Sequence, residues 1–380
     1  MLLYVANEIG GNNGNRAANF HALTSLLLTG EDIGVFCFTK IQFPNSIEGK
    51  KIPPLKLSLE IKNFPLTEEE ETEVLNRLNQ FNIKLIVVND WAFYNFFKYK
   101  IFDKLNQSPR IRTALYTQTK PESYKFPYPF HEILRRTNEY DHFISASKLV
   151  INEWKKHGLR TKSSNIHCVH NCCDEQKTDS ILNFEKDHLR TKLKIPRDRF
   201  ISVCIASLQE RKNQKIIIDN VSELINGEQD DLFIFVGGIV EEYDGHEILN
   251  KILSSSHNSN FLVIGEVDDA LPYIRASDLL ILPSHGEVSP VSILEAMALK
   301  TAVLASKTGG VPELIEHDKN GFCFDPQEPS EFIELYRKLR NESSLRSKFI
   351  DASFKKYKEK FSQKHNENAW KKVFQSMKER

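Results

Sequence analysis

A chain of 380 residues is long enough for about two domains, and its 40% apolar and 27% charged content is that of an ordinary folded protein. Its 51 basic side chains match its 51 acidic ones, which argues against bulk nucleic-acid binding. The start, Leu2-Leu3-Tyr4-Val5-Ala6, has no basic lead or long apolar core, and no later apolar run reaches a membrane span. A secretory or membrane-spanning protein is therefore not expected, and a cytoplasmic one is.

In chain order, residues 2–6 read as a short buried strand. The glycine-rich turn Asn7 to Gly14 follows, then a helix from about Asn15 to Leu28 that Gly30 stops. Ile33 to Phe38 is the next strand. This strand–loop–helix–strand unit opens a Rossmann-like layer, and the bare backbone at Gly10 and Gly11 would let a phosphate or sugar approach. It has no G-x-G-x-x-G, and no acid ends the second strand, so a nicotinamide dehydrogenase is poorly supported. Glu68 to Asn82 reads as a charged helix, Ile83 to Asn89 as a buried strand, and Trp91 to Leu105 as an aromatic-rich helix. The strand Thr113 to Thr117 leads into a Pro- and aromatic-rich loop from Lys120 to Phe130. Phe143 to Ser147 and Ile166 to His170 close the first sheet, with a helix between them carrying Lys155 and Lys156.

Six cysteines, Cys37, Cys168, Cys172, Cys173, Cys204 and Cys323, fall mostly in strand-like apolar runs and read as small buried hydrophobes. The cluster His167-Cys168-Val169-His170-Asn171-Cys172-Cys173 is dense in metal-ligand types. Alternate strand residues point to opposite faces, however, and no second C-x-x-C accompanies it, so no metal site is expected.

Asp174 to Ser180 is polar and reads as a linker, and Phe184 to Leu193 as a helix. A second α/β series starts at the strand Phe200 to Ala206. It continues through Ser207 to Gln214, a helix to Leu224, and the strands Leu232 to Val236, Phe261 to Gly265, Leu279 to Leu282 and Thr301 to Ala305. The last helix runs from about Ser362 to Lys378, with Trp370, Val373, Phe374 and Met377 on one side. The pattern predicts an α/β fold of two tandem Rossmann-like, doubly wound domains with a ligand cleft between them. Their expected bounds are 1–173 and 174–361, with helix 362–380 packing back on the first.

One stretch stands out for chemistry, from Pro283 to Ala298. It reads as strand end, tight loop and helix, with Ser289 as N-cap and Pro290 as first helical residue. Glu287 precedes the helix start and Glu295 lies within it. The helix start suits a phosphate, and Glu295 lies roughly 8 Å further along the axis. A diphosphate there would put a ribose near Glu295 and its other substituent near Glu287. Both glutamates could equally decorate a solvated helix; spacing alone leaves the two readings open. Lys212, between a strand and a helix, is likewise either solvated or part of the site.

These residues resemble the retaining glycosyltransferases of family 4, which have the GT-B fold. The resemblance rests on Pro283-Ser284, Glu287 and Leu294-Glu295-Ala296-Met297-Ala298, the E-x7-E signature. It continues through Gly309-Gly310-Val311-Pro312-Glu313 and Asn320-Gly321. Weaker matches are Gly10-Gly11, Asn171, Arg211-Lys212-Asn213, Gly237-Gly238 and Trp370. The resemblance implies a nucleotide diphosphate sugar donor held mainly by the second domain and an acceptor held mainly by the first. It implies ribose contact at Glu295, donor-sugar contact at Glu287, and leaving-group neutralisation by Lys212, with Arg211 beside it. Backbone N–H groups of Ser289, Val291 and Ser292 would hold phosphate, and Gly10 and Gly11 would also face the donor. No cofactor and no bound metal are implied. Two departures concern the phosphate clamp: Ser207 stands five residues before Lys212, where family members often have arginine, and Pro290 removes one N–H. A third concerns the acceptor side, where Thr117-Gln118-Thr119 lacks the histidine many members place there.

The function expected is sugar transfer to a hydroxyl acceptor with retained anomeric configuration, in polysaccharide or glycolipid assembly. The acceptor would be a glycan or a lipid-linked sugar, which allows peripheral contact with the cytoplasmic face of a membrane. The alternatives are a two-domain sugar-nucleotide epimerase or phosphorylase, and a non-catalytic sugar-nucleotide binder.

Overall fold

Strands that are apolar along their whole length must be covered on both faces, and parallel sheets flanked by helices meet that need. The computed structural model describes residues 1–6, 33–37, 46–47, 50–51, 57–60, 67–89, 111–121, 129–225, 231–241 and 244–378. The chain forms two units, Met1–Cys172 with Gln363–Arg380, and Cys173–Ser362. The expected loop at Gly10 and Gly11, the helix after it, the Trp91 to Leu105 helix and most of the Lys120 to Phe130 loop lie outside the described residues.

The strands of the first unit are β1 (Leu2–Ala6), β2 (Ile33–Cys37), β3 (Ser46–Ile47), β4 (Lys50–Lys51), β5 (Leu57–Glu60), β6 (Leu85–Asn89), β7 (Arg112–Thr117), β8 (His142–Ser145) and β9 (Ile166–Cys168). Seven of them form a parallel sheet in the order β5-β2-β1-β6-β7-β8-β9, while β3 and β4 pair antiparallel. Its helices include α1 (Glu68–Asn79), α2 (Phe130–Thr137) and α3 (Lys148–Lys156). Helix α1 ends three residues before the expected Asn82, because the Gln80 and Phe81 N–H groups fold back to the Arg77 and Leu78 carbonyls at 3.3 and 3.1 Å. Strand β8 stops at Ser145 and not Ser147, because the Ser147 hydroxyl accepts the Val150 N–H at 3.1 Å and caps α3. Strand β9 ends at Cys168, two residues before the expected His170.

The second unit holds α4 (Glu175–Leu182), α5 (Lys186–Lys192), β10 (Phe200–Ile205), α6 (Lys215–Asp219), α7 (Val221–Ile225), β11 (Asp231–Val236), α8 (Gly245–Ser254), β12 (Phe261–Gly265), α9 (Leu271–Ala276) and β13 (Leu279–Leu282). It continues with α10 (Val291–Ala298), β14 (Ala302–Ser306), α11 (Val311–Leu314), β15 (Phe322–Phe324), α12 (Pro329–Asn341) and α13 (Ser343–Lys360). Its parallel sheet runs β12-β11-β10-β13-β14-β15. In both sheets the strands appear in the spatial order third, second, first, fourth, fifth, sixth, with β9 added as a seventh in the first, which is the doubly wound arrangement. The expected linker Asp174 to Ser180 is instead the start of α4. The Asp174 carboxylate caps the helix by accepting the Lys177 N–H at 3.0 Å, which outweighs the polar composition.

The last helix, α14 (Gln363–Lys378), belongs to the first unit. Trp370, Val373, Phe374 and Met377 recur at helical spacing and are buried against Leu2, Tyr4, Leu85 and Tyr116. The Trp370 ring meets Tyr116 edge-on at 5.1 Å. Arg112 Nη1 donates to the Met377 carbonyl at 3.0 Å, and Asn366 Nδ2 to the His170 carbonyl at 2.6 Å. Among the described residues no helix is long and apolar enough to cross a membrane.

Candidate functional site

In an open parallel sheet the strand order reverses at one place, and loops leaving the two strands there diverge and open a crevice at their C-terminal ends. In the second unit those strands are β10 and β13. The loop after β10 carries Arg211 and Lys212, and the loop after β13 carries Glu287. Topology therefore brings together residues that lie 75 apart in sequence.

The two loops are tied to each other. Residues Glu210–Lys212 make one 3₁₀ turn, which Asn213 ends in the left-handed region at φ 53°. The Arg211 carbonyl accepts the His285 N–H at 2.9 Å, and Arg211 Nη1 donates to the Gly286 carbonyl at 2.8 Å. Lys212 Nζ lies 2.6 Å from Glu287 Oε1, with side chains only 16% and 11% exposed. Arg211 approaches the same oxygen at 3.8 Å but is 47% exposed. From the other side, the Thr308 hydroxyl donates to the His285 carbonyl at 3.0 Å and the Ser306 hydroxyl to that of Ser284. The Gly310 N–H donates to the Glu287 carbonyl at 3.2 Å. Ser207 does not act as a cation substitute. Its hydroxyl accepts from Gln209 Nε2 at 2.6 Å and its carbonyl from Gln214 Nε2 at 2.8 Å, so it shapes the loop that presents Lys212.

The helix start differs from the expected one. Pro290, not Ser289, occupies the cap position of α10, with φ −66° and an extended ψ of 121°, and no side chain caps the helix. Ser289 is buried. The Ile293 N–H already bonds the Pro290 carbonyl at 3.2 Å. Val291 and Ser292 thus lead the helix, and their N–H groups have no carbonyl of a preceding turn to bond. Two amide donors and the dipole end remain for an anion.

The two glutamates have opposite electrostatics. Burial works against the charge on Glu287, yet Lys212 and Arg211 hold its carboxyl below the usual carboxylate range. Glu295 is half-buried on α10, and its carboxyl is pushed up to about 8, first by burial and then by the charge of Asp269, with Asp174 adding to it and Lys177 opposing. Its carboxylate has no hydrogen bond from the described residues. In the neutral form one oxygen donates and the other accepts, which matches a vicinal diol. Opposed carboxyl environments of this kind mark functional sites more often than structural ones.

A stability consequence follows from Glu295. The unfolded chain loses this proton near 4.5, whereas the folded chain keeps it to about 8. Stability should fall as pH rises from 4.5 to 8 and then level off. Glu295→Gln is expected to remove that slope, raising stability by about 1–2 kcal/mol at pH 8.5 after allowance for solvent screening, and to change little at pH 4. Thermal melting of both proteins across pH checks this; equal melting temperatures at pH 8.5 would contradict it.

Glycines near the crevice have steric reasons. A Cβ on Gly237 would lie 2.3 Å from the Ala206 carbonyl oxygen, so β11 can turn close to β10 only with glycine there. Asn320 is structural: its side chain accepts the Glu316 N–H at 2.7 Å and donates to the Leu314 carbonyl at 3.0 Å. In the first unit, Asn171 accepts from Tyr116 Oη at 3.1 Å and donates to Gln118 Oε1 at 3.4 Å, a buried network at the end of β7. The cysteine–histidine cluster divides only in part: Cys168 and His170 stay side by side, contrary to the expected divergence, while His167 and Cys173 turn to other partners. His167 pairs with buried His142 at 3.0 Å, Cys168 lies 3.7 Å from His170 Nε2, and Cys173 lies 3.0 Å from Tyr357 Oη.

Motif spacing missed Ser306, Thr308, Asp269 and Asp174. The first two act through carbonyls of the neighbouring loop, and the last two through space, so no fixed offset announces them.

Two doubly wound units of this kind make up the GT-B fold. A solved Anabaena HepE structure in complex with UDP-glucose superposes with a TM-score of 0.77 at 19% identity, covering 99% of this chain and 100% of that one. A sucrose-phosphate synthase from Thermosynechococcus elongatus gives 0.76 at 14% identity, covering 99% of this chain and 98% of that one. Residues 185–356, within the Cys173–Ser362 unit, match the family described as glycosyl transferases group 1. Among curated relatives, a D-inositol 3-phosphate glycosyltransferase of Corynebacterium jeikeium is 28% identical over 163 residues, 41% of this chain and 39% of its own length. An N-acetyl-alpha-D-glucosaminyl L-malate synthase of Bacillus anthracis is 26% identical over 187 residues, 48% of this chain and 45% of its own length. The chain thus spans less than half the length of each of these two relatives.

Proposed function

We propose that the chain transfers a sugar from a nucleotide diphosphate sugar to a hydroxyl acceptor, retaining the anomeric configuration and using no metal ion. The observation that carries this reading is the arrangement around α10. A largely buried lysine–glutamate pair lies at one side of the helix start, and a half-buried carboxyl with no hydrogen-bond partner among the described residues lies further along the helix. The diphosphate takes the N–H groups of Val291 and Ser292. Arg211 and Lys212 face the charge that grows on the leaving diphosphate, in a crevice where one such donor is worth several kcal/mol of barrier. Glu295 takes the ribose hydroxyls, and Glu287 the donor sugar. The glycosyltransferase names of the relatives support transfer, and the UDP-glucose in the HepE structure supports a nucleotide-sugar donor.

The test is a thermal-shift panel of UDP-, GDP-, ADP- and dTDP-sugars, followed by transfer to glycan and lipid-linked acceptors with the product read by NMR. One donor should raise the melting temperature, and the product should keep the donor's anomeric configuration. A new sugar isomer formed without acceptor would favour the epimerase reading instead.

A further inference from the structure

We propose that Glu287 makes the site favour the sugar-bearing donor over the nucleoside diphosphate left after transfer, and so hastens product release. The inference rests on the donor reading above and adds a discrimination to it.

Lys212 has one ion-pair partner among the described residues, the Glu287 carboxylate at 2.6 Å, and Arg211 approaches the same oxygen. The carboxylate is held by Lys212, and the backbone that carries it is anchored. Its backbone carbonyl is held by the Gly310 N–H, and the residues before it are fastened by Arg211, Ser306 and Thr308. Two cations and one anchored anion therefore meet at the crevice, both cations on the same carboxylate oxygen.

In the transfer, the bond from the anomeric carbon to the terminal phosphate oxygen breaks and a bond from that carbon to the acceptor oxygen forms. The bonding pair stays on the phosphate oxygen, and the acceptor's proton is released. The phosphate that was a sugar ester becomes a terminal phosphate with one more ionisable oxygen. A carboxylate fixed beside Lys212 repels that new charge. Against the intact donor it meets sugar hydroxyls, which donate to it. The same residue is thus attractive before the reaction and repulsive after it, and the lysine is shared between carboxylate and phosphate.

Calorimetric titration of UDP against UDP-glucose, GDP against GDP-mannose, ADP against ADP-glucose and dTDP against dTDP-glucose tests this on the full chain. For whichever pair the wild type binds, Glu287→Gln should tighten the free diphosphate about tenfold and leave the sugar donor unchanged or weaker. Glu287→Asp, which keeps the charge, should keep a wild-type ratio of the two affinities. Because each ratio is taken within one protein, a partly unfolded sample does not alter it, and melting curves check that each variant folds. A Glu287→Gln ratio equal to that of the wild type overturns the inference while leaving the donor reading intact. A wild-type protein that binds neither member of any of the four pairs removes the donor reading and this inference with it.

Discussion

Lys212→Ala is expected to lower kcat by about 10²–10³-fold, a loss of about 2.7–4 kcal/mol of transition-state stabilisation. The lysine is poorly exposed and 2.6 Å from Glu287, so removing it has two consequences. The leaving diphosphate loses a fixed cation, and Glu287 becomes a largely buried carboxylate whose remaining cation among the described residues is the exposed Arg211 at 3.8 Å. The second effect should show as lower stability and the first as lower turnover. Lys212→Arg should restore part of the stability, but not full turnover, because the planar guanidinium does not reproduce a point charge at Nζ. Steady-state kinetics with the identified donor check this, and wild-type turnover in Lys212→Ala would remove the lysine from the site.

Glu295→Ala should weaken donor binding by about 10–100-fold, the worth of hydrogen bonds to an ionisable group. The loss should fall on KM for the donor, since the ribose does not change during transfer. A 2′-deoxy donor should bind the wild type more weakly and show little further loss in the variant. That non-additivity separates ribose contact from a general weakening of α10. Full additivity of the two losses would place the ribose elsewhere.

Much of the second unit was legible in the chain because its strands are short, apolar throughout and bounded by glycine or proline, as in Leu279 to Leu282 before Pro283. Several boundaries were not legible, because side chains compete with backbone patterns locally. Asp174 turns a polar segment into a helix, Ser147 ends a strand by capping the next element, and Pro290 takes the cap position expected of Ser289. The site was legible to the extent that Glu287, Glu295 and Lys212 occur at telling places. Their partnership was not. That Lys212 and Glu287 form a buried pair follows from β10 and β13 being neighbours in the sheet, and strand order is a property of the whole fold. The elevated carboxyl of Glu295 was equally hidden, since it depends first on burial and then on the charge of Asp269 from a distant loop.

The most direct test of the account is a crystal structure of the chain with UDP-glucose, or with whichever nucleotide sugar raises its melting temperature. The ribose hydroxyls are expected on the Glu295 carboxyl, the diphosphate at the Val291 and Ser292 N–H groups, and the sugar beside Glu287. A nucleotide bound away from α10, or with its ribose out of reach of Glu295, would contradict it.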